Sequence, residues 1–232
     1  MELNETTTEI NEYIFQHQNE LLPQVIQFYE LMNRYESAIK AVDTKLEILK
    51  NDLHIRGSRD YIIGIQTRIK TPVSILSKLK RKGCPITVES IRAGLNDVAG
   101  IRVICSFIDD IYLLSEKLCN QDDLTVISVK DYIKHPKPNG YRSYHMVVDV
   151  PVFFSDAKEH VRVEIQLRTV AMDFWASLEH DMKYKKDVLD CPDIVRELKA
   201  CADIIADTDR RMMDLREKIK KLPQASGCEQ NR

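Results

Sequence analysis

The chain has 232 residues, 34 Lys and Arg against 36 Asp and Glu, a formal net charge of -2 and 44% hydrophobic residues. That length allows one domain or two small ones with a real core, and 30% charged residues with only 7 Gly and 8 Pro argue against disorder and against a loop-rich sandwich. A near-balance of charge excludes a polycation acting by global charge, but leaves local charge separation open.

The opening residues, MELNETTTEI, are acidic and polar with no apolar run, and so predict no secretory signal. No stretch approaches the roughly 18 apolar residues that a membrane span needs. The first predicted element is a helix. Phe28, Met32, Tyr35, Ile39, Val42, Leu46, Leu49 and Leu53 alternate steps of four and three. Pro23 is expected to mark its kink or its start. Thr71-Pro72 then reads as a cap with proline at the first helical position, and Gly83 as a stop after Lys82. A short helix is expected around Thr87 to Leu95. Strand-like runs follow at Gly100 to Phe107, Leu124 to Tyr132, Tyr144 to Val150 and His160 to Arg168. One helix, Ile111 to Cys119, separates the first two strands, and another runs from Val170 to about Lys185.

The chain closes on a second heptad stripe: Ile194, Leu198, Cys201, Ile205, Thr208, Met212, Leu215, Ile219 and Leu222. Each stripe admits two uses, packing on the core or pairing in a helical oligomer. Strands mixed with helices in one block predict a single α+β or mixed α/β domain. The expected division is a helical segment at 1–55, a catalytic domain at 56–188, a terminal helix at 189–222 and a frayed tail at 223–232. The six cysteines (Cys84, Cys105, Cys119, Cys191, Cys201, Cys228) form no C-x-x-C pair. They read as thiols in a reducing cytoplasm rather than as disulfides or a zinc site.

Charge placement carries the first functional signal. Between Tyr61 and Val88 there is no Asp or Glu, yet Arg68, Lys70, Lys78, Lys80, Arg81 and Lys82 all fall there. Cations near a helix C-terminus complement its dipole, but an unbroken basic stretch in a net-acidic chain also suits nucleotide phosphates or nucleic acid. The strand VRVEIQL carries the second signal. Val161, Val163, Ile165 and Leu167 share one face, while Arg162, Glu164, Gln166 and Arg168 share the other. A carboxylate flanked by cations can hold Mg²⁺ while its neighbours hold phosphate oxygens. The third signal is KPNGYRSYH. Pro138-Asn139-Gly140 is a turn signature, and Tyr141 beyond it, near Lys137, Arg142 and His145, suits base stacking. An ordinary hairpin with a buried tyrosine would read the same way. There is no P-loop, no G-x-G-x-x-G and no H-E-x-x-H. Bound nucleotides would therefore be held by side-chain cations, stacking and a carboxylate-held metal.

Four ordered blocks, TRIKTPVSILSKLKRKG, NDVAGIRVICSF, KDYIKHPKPNGYRSYH and VEIQLRTVAMDFWASLEHDMKY, resemble the RelA/SpoT-type (p)ppGpp synthetases. The resemblance spans roughly Arg56 to Lys186 and is closest to the stand-alone small alarmone synthetases, RelP-like rather than RelQ-like. It implies a mixed sheet flanked by helices, of the nucleotidyltransferase-like synthetase kind. It also implies a cytoplasmic pyrophosphokinase that moves the β,γ-pyrophosphate of ATP to the 3′-hydroxyl of GDP or GTP. Carried over by motif, Arg68 and Arg102 would sandwich adenine, and Lys70, Ser74, Lys78 and Arg81 would hold the ATP phosphates. Asp97 and Glu164 would coordinate Mg²⁺, Glu164 also activating the ribose hydroxyl. Tyr141 would stack on guanine, with Lys137, Asn139 and His145 around the acceptor and Lys130, Arg142 and Gln166 as further contacts. Small members being tetramers, the terminal helices are expected to build a homo-oligomer.

Two features qualify the resemblance. Some long members carry an acidic run where this chain has Ser128-Val129-Lys130-Asp131, which bears on metal preference. His180-Asp181 imitates a hydrolase motif without its companion ligands, so synthesis without hydrolysis is expected. The alternatives are a toxin-like relative acting on adenine nucleotides or tRNA, and a non-catalytic RNA-binding regulator.

Overall fold

The computed structural model describes residues 18–185 and 192–222. In chain order these form helix α1 (Gln18–Gly57), strand β1 (Ile62–Ile69), helices α2 (Pro72–Arg81) and α3 (Val88–Gly94), strand β2 (Ala99–Cys105) and helix α4 (Ile108–Cys119). Strands β3 (Thr125–Asp131), β4 (Tyr144–Phe153) and β5 (Lys158–Thr169) follow, then helices α5 (Val170–Lys185) and α6 (Pro192–Lys220). The strands make one sheet in the order β1-β2-β5-β4-β3. β2 and β5 run parallel, and every other neighbouring pair is antiparallel. The α+β expectation holds. The tail at 223–232, Cys191 and Cys228 lie outside the described residues; Cys84, Cys105, Cys119 and Cys201 are free thiols.

One face of the sheet is the core. Tyr35, Ile39, Val42 and Leu46 of α1 are buried in a single apolar cluster with Ile101, Val103, Ile165 and Leu167 of the sheet and Ile111, Leu114 and Leu118 of α4. The first heptad stripe is therefore spent on the core. Pro23 lies inside α1 rather than at its start, on an exposed stretch where water can satisfy the carbonyl it leaves unpaired.

The second stripe divides. Leu198 and Ile205 pack near Trp175, together with buried Ala202, but Met212, Leu215, Ile219 and Leu222 are exposed. α6 is fastened by polar contacts as well. Trp175 Nε1 donates to the Leu198 carbonyl at 3.0 Å, Thr169 Oγ1 to Asp209 Oδ2 at 2.5 Å, and the Arg216 guanidinium to both oxygens of Asp109 at 3.1 and 2.5 Å.

β1 was not among the strands expected from sequence. It is an edge strand with a mostly solvated surface, and its run IIGIQTRI interrupts the apolar alternation with Gly64 and polar residues. It nevertheless sets the site, because its register places Arg68 and Gln66 on the face opposite the core.

Candidate active site

Strand register assembles the site. Gln66, Arg102, Gln166, His145 and Lys130 are direct cross-strand neighbours over all five strands. The next row reads Arg68, Gly100, Glu164, Val147 and Ser128. Side chains opposite one another share a face, so five separate strands deliver one polar surface. Along β5 the alternation is as expected: Val161, Val163, Ile165 and Leu167 are buried, and Glu164 and Gln166 open to the other side.

The donor half grows from the ends of β1, α2 and β2. Thr71 caps α2, its hydroxyl accepting from the Ser74 amide at 3.3 Å with Pro72 in the first turn. Gly83, at φ +66°, follows the helix end. Ser74, Lys78 and Arg81 then fall at steps of four and three along one side of α2. Lys70 Nζ and Lys78 Nζ both donate to Asp97 Oδ2, at 2.6 and 2.5 Å. Burial alone would push the Asp97 carboxyl up, but these two ammoniums hold it below the usual carboxylate range.

The acceptor half is a directed chain. Arg168 Nη2 donates to the Tyr141 hydroxyl at 2.8 Å, and that hydroxyl lies 2.9 Å from His145 Nε2. His145 Nδ1 lies 3.2 Å from Glu164 Oε1, and Gln166 Nε2 donates to Glu164 Oε2 at 2.8 Å. With a proton on Nδ1, His145 donates to Glu164 and the chain of links is satisfied in this order. Burial raises the Glu164 carboxyl, but the hydrogen bond and charge of His145, with the hydrogen bond from Gln166, outweigh it and hold the group below its ordinary value. Lys137 Nζ lies 4.6 Å from the Tyr141 ring centroid and 4.8 Å from that of Tyr132. The turn is real: Gly140 has φ +89°, and its amide donates to the Lys137 carbonyl at 2.8 Å. Asn139 points its amide nitrogen to Glu179 Oε1 at 2.9 Å and accepts the Tyr141 amide at 3.2 Å.

The halves meet at a cavity of about 240 Å³ lined by Lys78, Asp97, Lys130, His145 and Glu164, together with Asn96, Lys82 and Ser128. Clefts of about 480 and 570 Å³ between α1 and α2 are larger but mainly apolar, and contain neither Asp97 nor Glu164. The small polar cavity is where the chemistry collects. Its donor set fits a divalent cation: Asp97 Oδ1 is buried with no partner, and Glu164 is near enough to feel the charge of Asp97. Two carboxylates plus phosphate oxygens and water are a usual Mg²⁺ environment, although no group of three or more His, Cys, Asp or Glu suited to a metal occurs among the described residues.

Arg142 is not brought into this surface. Its guanidinium lies 3.6 Å from Asp203 on α6, and it does not line the cavity. Ser74 and Arg81, on the same helix as Lys78, are exposed and do not line the cavity. Two residues escaped the sequence reading of site roles. Arg168, seen only as part of a polar strand face, is 4% exposed and holds Tyr141. Asp173, at the start of α5, pairs with both Arg168 and Arg102. Only its place five residues past Arg168, in the first turn of a helix, could have marked it.

Residues 67–188 match the sequence family described as "Region found in RelA / SpoT proteins". The chain is 42% identical over 185 residues to GTP pyrophosphokinase YwaC of Bacillus subtilis, covering 80% of this chain and 88% of that protein. The chain belongs to the RelA/SpoT family. A second family member, GTP pyrophosphokinase YjbM of Bacillus subtilis, is 34% identical over 81% of this chain and 87% of its own length. The fold agrees with the family assignment. Small alarmone synthetase 1 of Bacillus subtilis bound to its product pppGpp superposes with a TM-score of 0.78 at 33% identity, covering 84% of this chain and 99% of that one. Small alarmone synthetase 2 of the same organism gives 0.74 at 40% identity, over 82% and 97% of the two chains.

Proposed function

We propose that this chain is a GTP pyrophosphokinase of the small alarmone synthetase kind, RelP-like by its sequence resemblance, with its catalytic domain at 56–188. It transfers the β,γ-pyrophosphate of ATP to the 3′-hydroxyl of GDP or GTP, giving ppGpp or pppGpp and AMP. One observation supports this above the others: a lysine-clamped carboxylate, Asp97, faces the same cavity as a Glu164 tied through His145 to Tyr141.

Arg68 and Arg102 take the adenine, while Lys70, Ser74, Lys78 and Arg81 take the phosphates. Tyr141 stacks the guanine, with Lys130, Lys137, Asn139, His145 and Gln166 around the acceptor. Two polyanions must be brought in line, so placement and charge neutralisation supply most of the rate. Mg²⁺, held by Asp97 and Glu164, would neutralise charge on the transferred pyrophosphate. As the 3′-oxygen bonds to the β-phosphorus, the β-phosphorus separates from the α,β-bridging oxygen, and AMP departs with that electron pair. Glu164 accepts the hydroxyl proton. A carboxylate held below its usual range is a weak base, so its main contribution is to orient the hydroxyl and take the proton as the bond forms.

No described helix is long and apolar enough to cross a membrane, which accords with a cytoplasmic setting. The exposed apolar end of α6 supports self-association, with a tetramer as our reading. The test is incubation with MgATP and, separately, GDP, GTP, ATP or tRNA, followed by separation of the products. AMP release that depends on GDP or GTP is expected. Release driven only by ATP or tRNA would point to the toxin-like reading, and no turnover with any acceptor would overturn the enzyme assignment.

A further inference from the structure

Asp173 has no role in the scheme above, yet it touches both halves of the site. It lies in the first turn of α5. Its Oδ1 accepts from Arg168 Nη1 at 2.9 Å and lies 3.3 Å from Arg102 Nη1. Arg102 belongs to the adenine side. Arg168 belongs to the acceptor side, where it holds the Tyr141 hydroxyl at 2.8 Å and Gln166 Oε1 at 3.2 Å.

Two guanidiniums this close repel each other, and Arg102 is held below its ordinary value first by burial and then by Arg168. Both also carry a buried Nε with no partner, so neither is fully satisfied by the carboxylate they share. A single oxygen divided between two like charges transmits a change at one to the other, because a partly buried network responds as a unit.

Resting on the pyrophosphokinase reading, we propose that Asp173 is a positioning residue that couples ATP binding to acceptor binding. An adenine placed between Arg68 and Arg102 draws the Arg102 guanidinium onto the base and leaves Oδ1 to Arg168. Arg168, more tightly held, then fixes Tyr141 and Gln166 for the guanine nucleotide. By linkage the acceptor must tighten ATP binding by the same factor.

The test is calorimetric titration of the full chain with GDP in Mg²⁺, without and with saturating AMPCPP, an ATP analogue that blocks transfer. The wild-type chain should bind GDP at least about 5-fold tighter when AMPCPP is present. Asp173→Asn keeps the shape but not the charge, and should bring that factor close to one while raising the acceptor KM. Asp173→Glu, which keeps the charge, should restore part of it. If the asparagine protein does not fold, Asp173→Ser takes its place. An undiminished factor in the neutral variant, or no coupling in the wild-type chain, would overturn the proposal. GDP-dependent AMP release by the wild-type chain is read separately, so missing coupling with that activity intact sinks only this inference.

Discussion

Glu164 is held from both sides, by His145 Nδ1 at 3.2 Å and Gln166 Nε2 at 2.8 Å. Glu164→Gln keeps the volume and removes the charge needed for the metal and the proton. Turnover should fall by about 10²–10⁴-fold while ATP binding stays near wild type, since the adenine and phosphate contacts lie elsewhere; near-normal product formation would refute the assignment. The two site carboxylates also bear on stability. Both Asp97 and Glu164 are held below their ordinary values in the folded chain. A depressed folded value adds stability above the unfolded value, about 4, and that stability is lost as the pH falls through the folded value. The urea midpoint should therefore owe them nothing variable between pH 7 and pH 5, and should drop below about pH 4. A steep loss between pH 7 and 5 that Asp97→Asn removes would contradict this.

Among the elements, the 132–143 loop and α6 are locked together at Gly140. Its φ of +89° disfavours any side chain, and a Cβ there would lie 2.5 Å from the Ala202 Cβ and 3.3 Å from the Lys199 Cα. Gly140→Ala should cost about 1–3 kcal/mol from the backbone alone, lowering Tm by at least about 2 °C. Because Tyr141 is the next residue, it should also raise the acceptor KM more than the ATP KM. An unchanged Tm would show that the loop can relax away from α6. The Asn-Gly signature made that turn legible in the sequence, and the alternation of VRVEIQL made the polar face of β5 legible. β1 was hidden because an edge strand needs only one paired side, and its one basic residue, Arg68, read as part of a charge run. The docking face of α6 was hidden for a different reason. Its contact with Gly140 and Trp175 uses Ala202 and Ala206, small residues that a count of large apolar side chains passes over. The pairing of Arg142 with Asp203 of α6 was hidden for another reason: no local pattern announces a partner so distant in sequence.

For the whole molecule, the net charge of -2 averages over a site where cations converge on two carboxylates. The core clusters leave much of α6 uncovered: Ile204, Met212, Leu215 and Ile219 are exposed, as is Leu222 just beyond its end. An apolar strip of this kind on a helix suits a second copy of the chain, so light scattering at micromolar concentration should give a mass well above 26.9 kDa. A monomer mass would leave the strip unexplained. The central claim is narrower: this surface moves two phosphates together rather than one. Its most direct measurement follows ATP labelled separately at the β and γ phosphates, with GDP as acceptor. Both labels should arrive on the guanosine 3′ position, with one unlabelled AMP released per product. Release of β-labelled ADP, or label on the 5′ chain, would contradict the account.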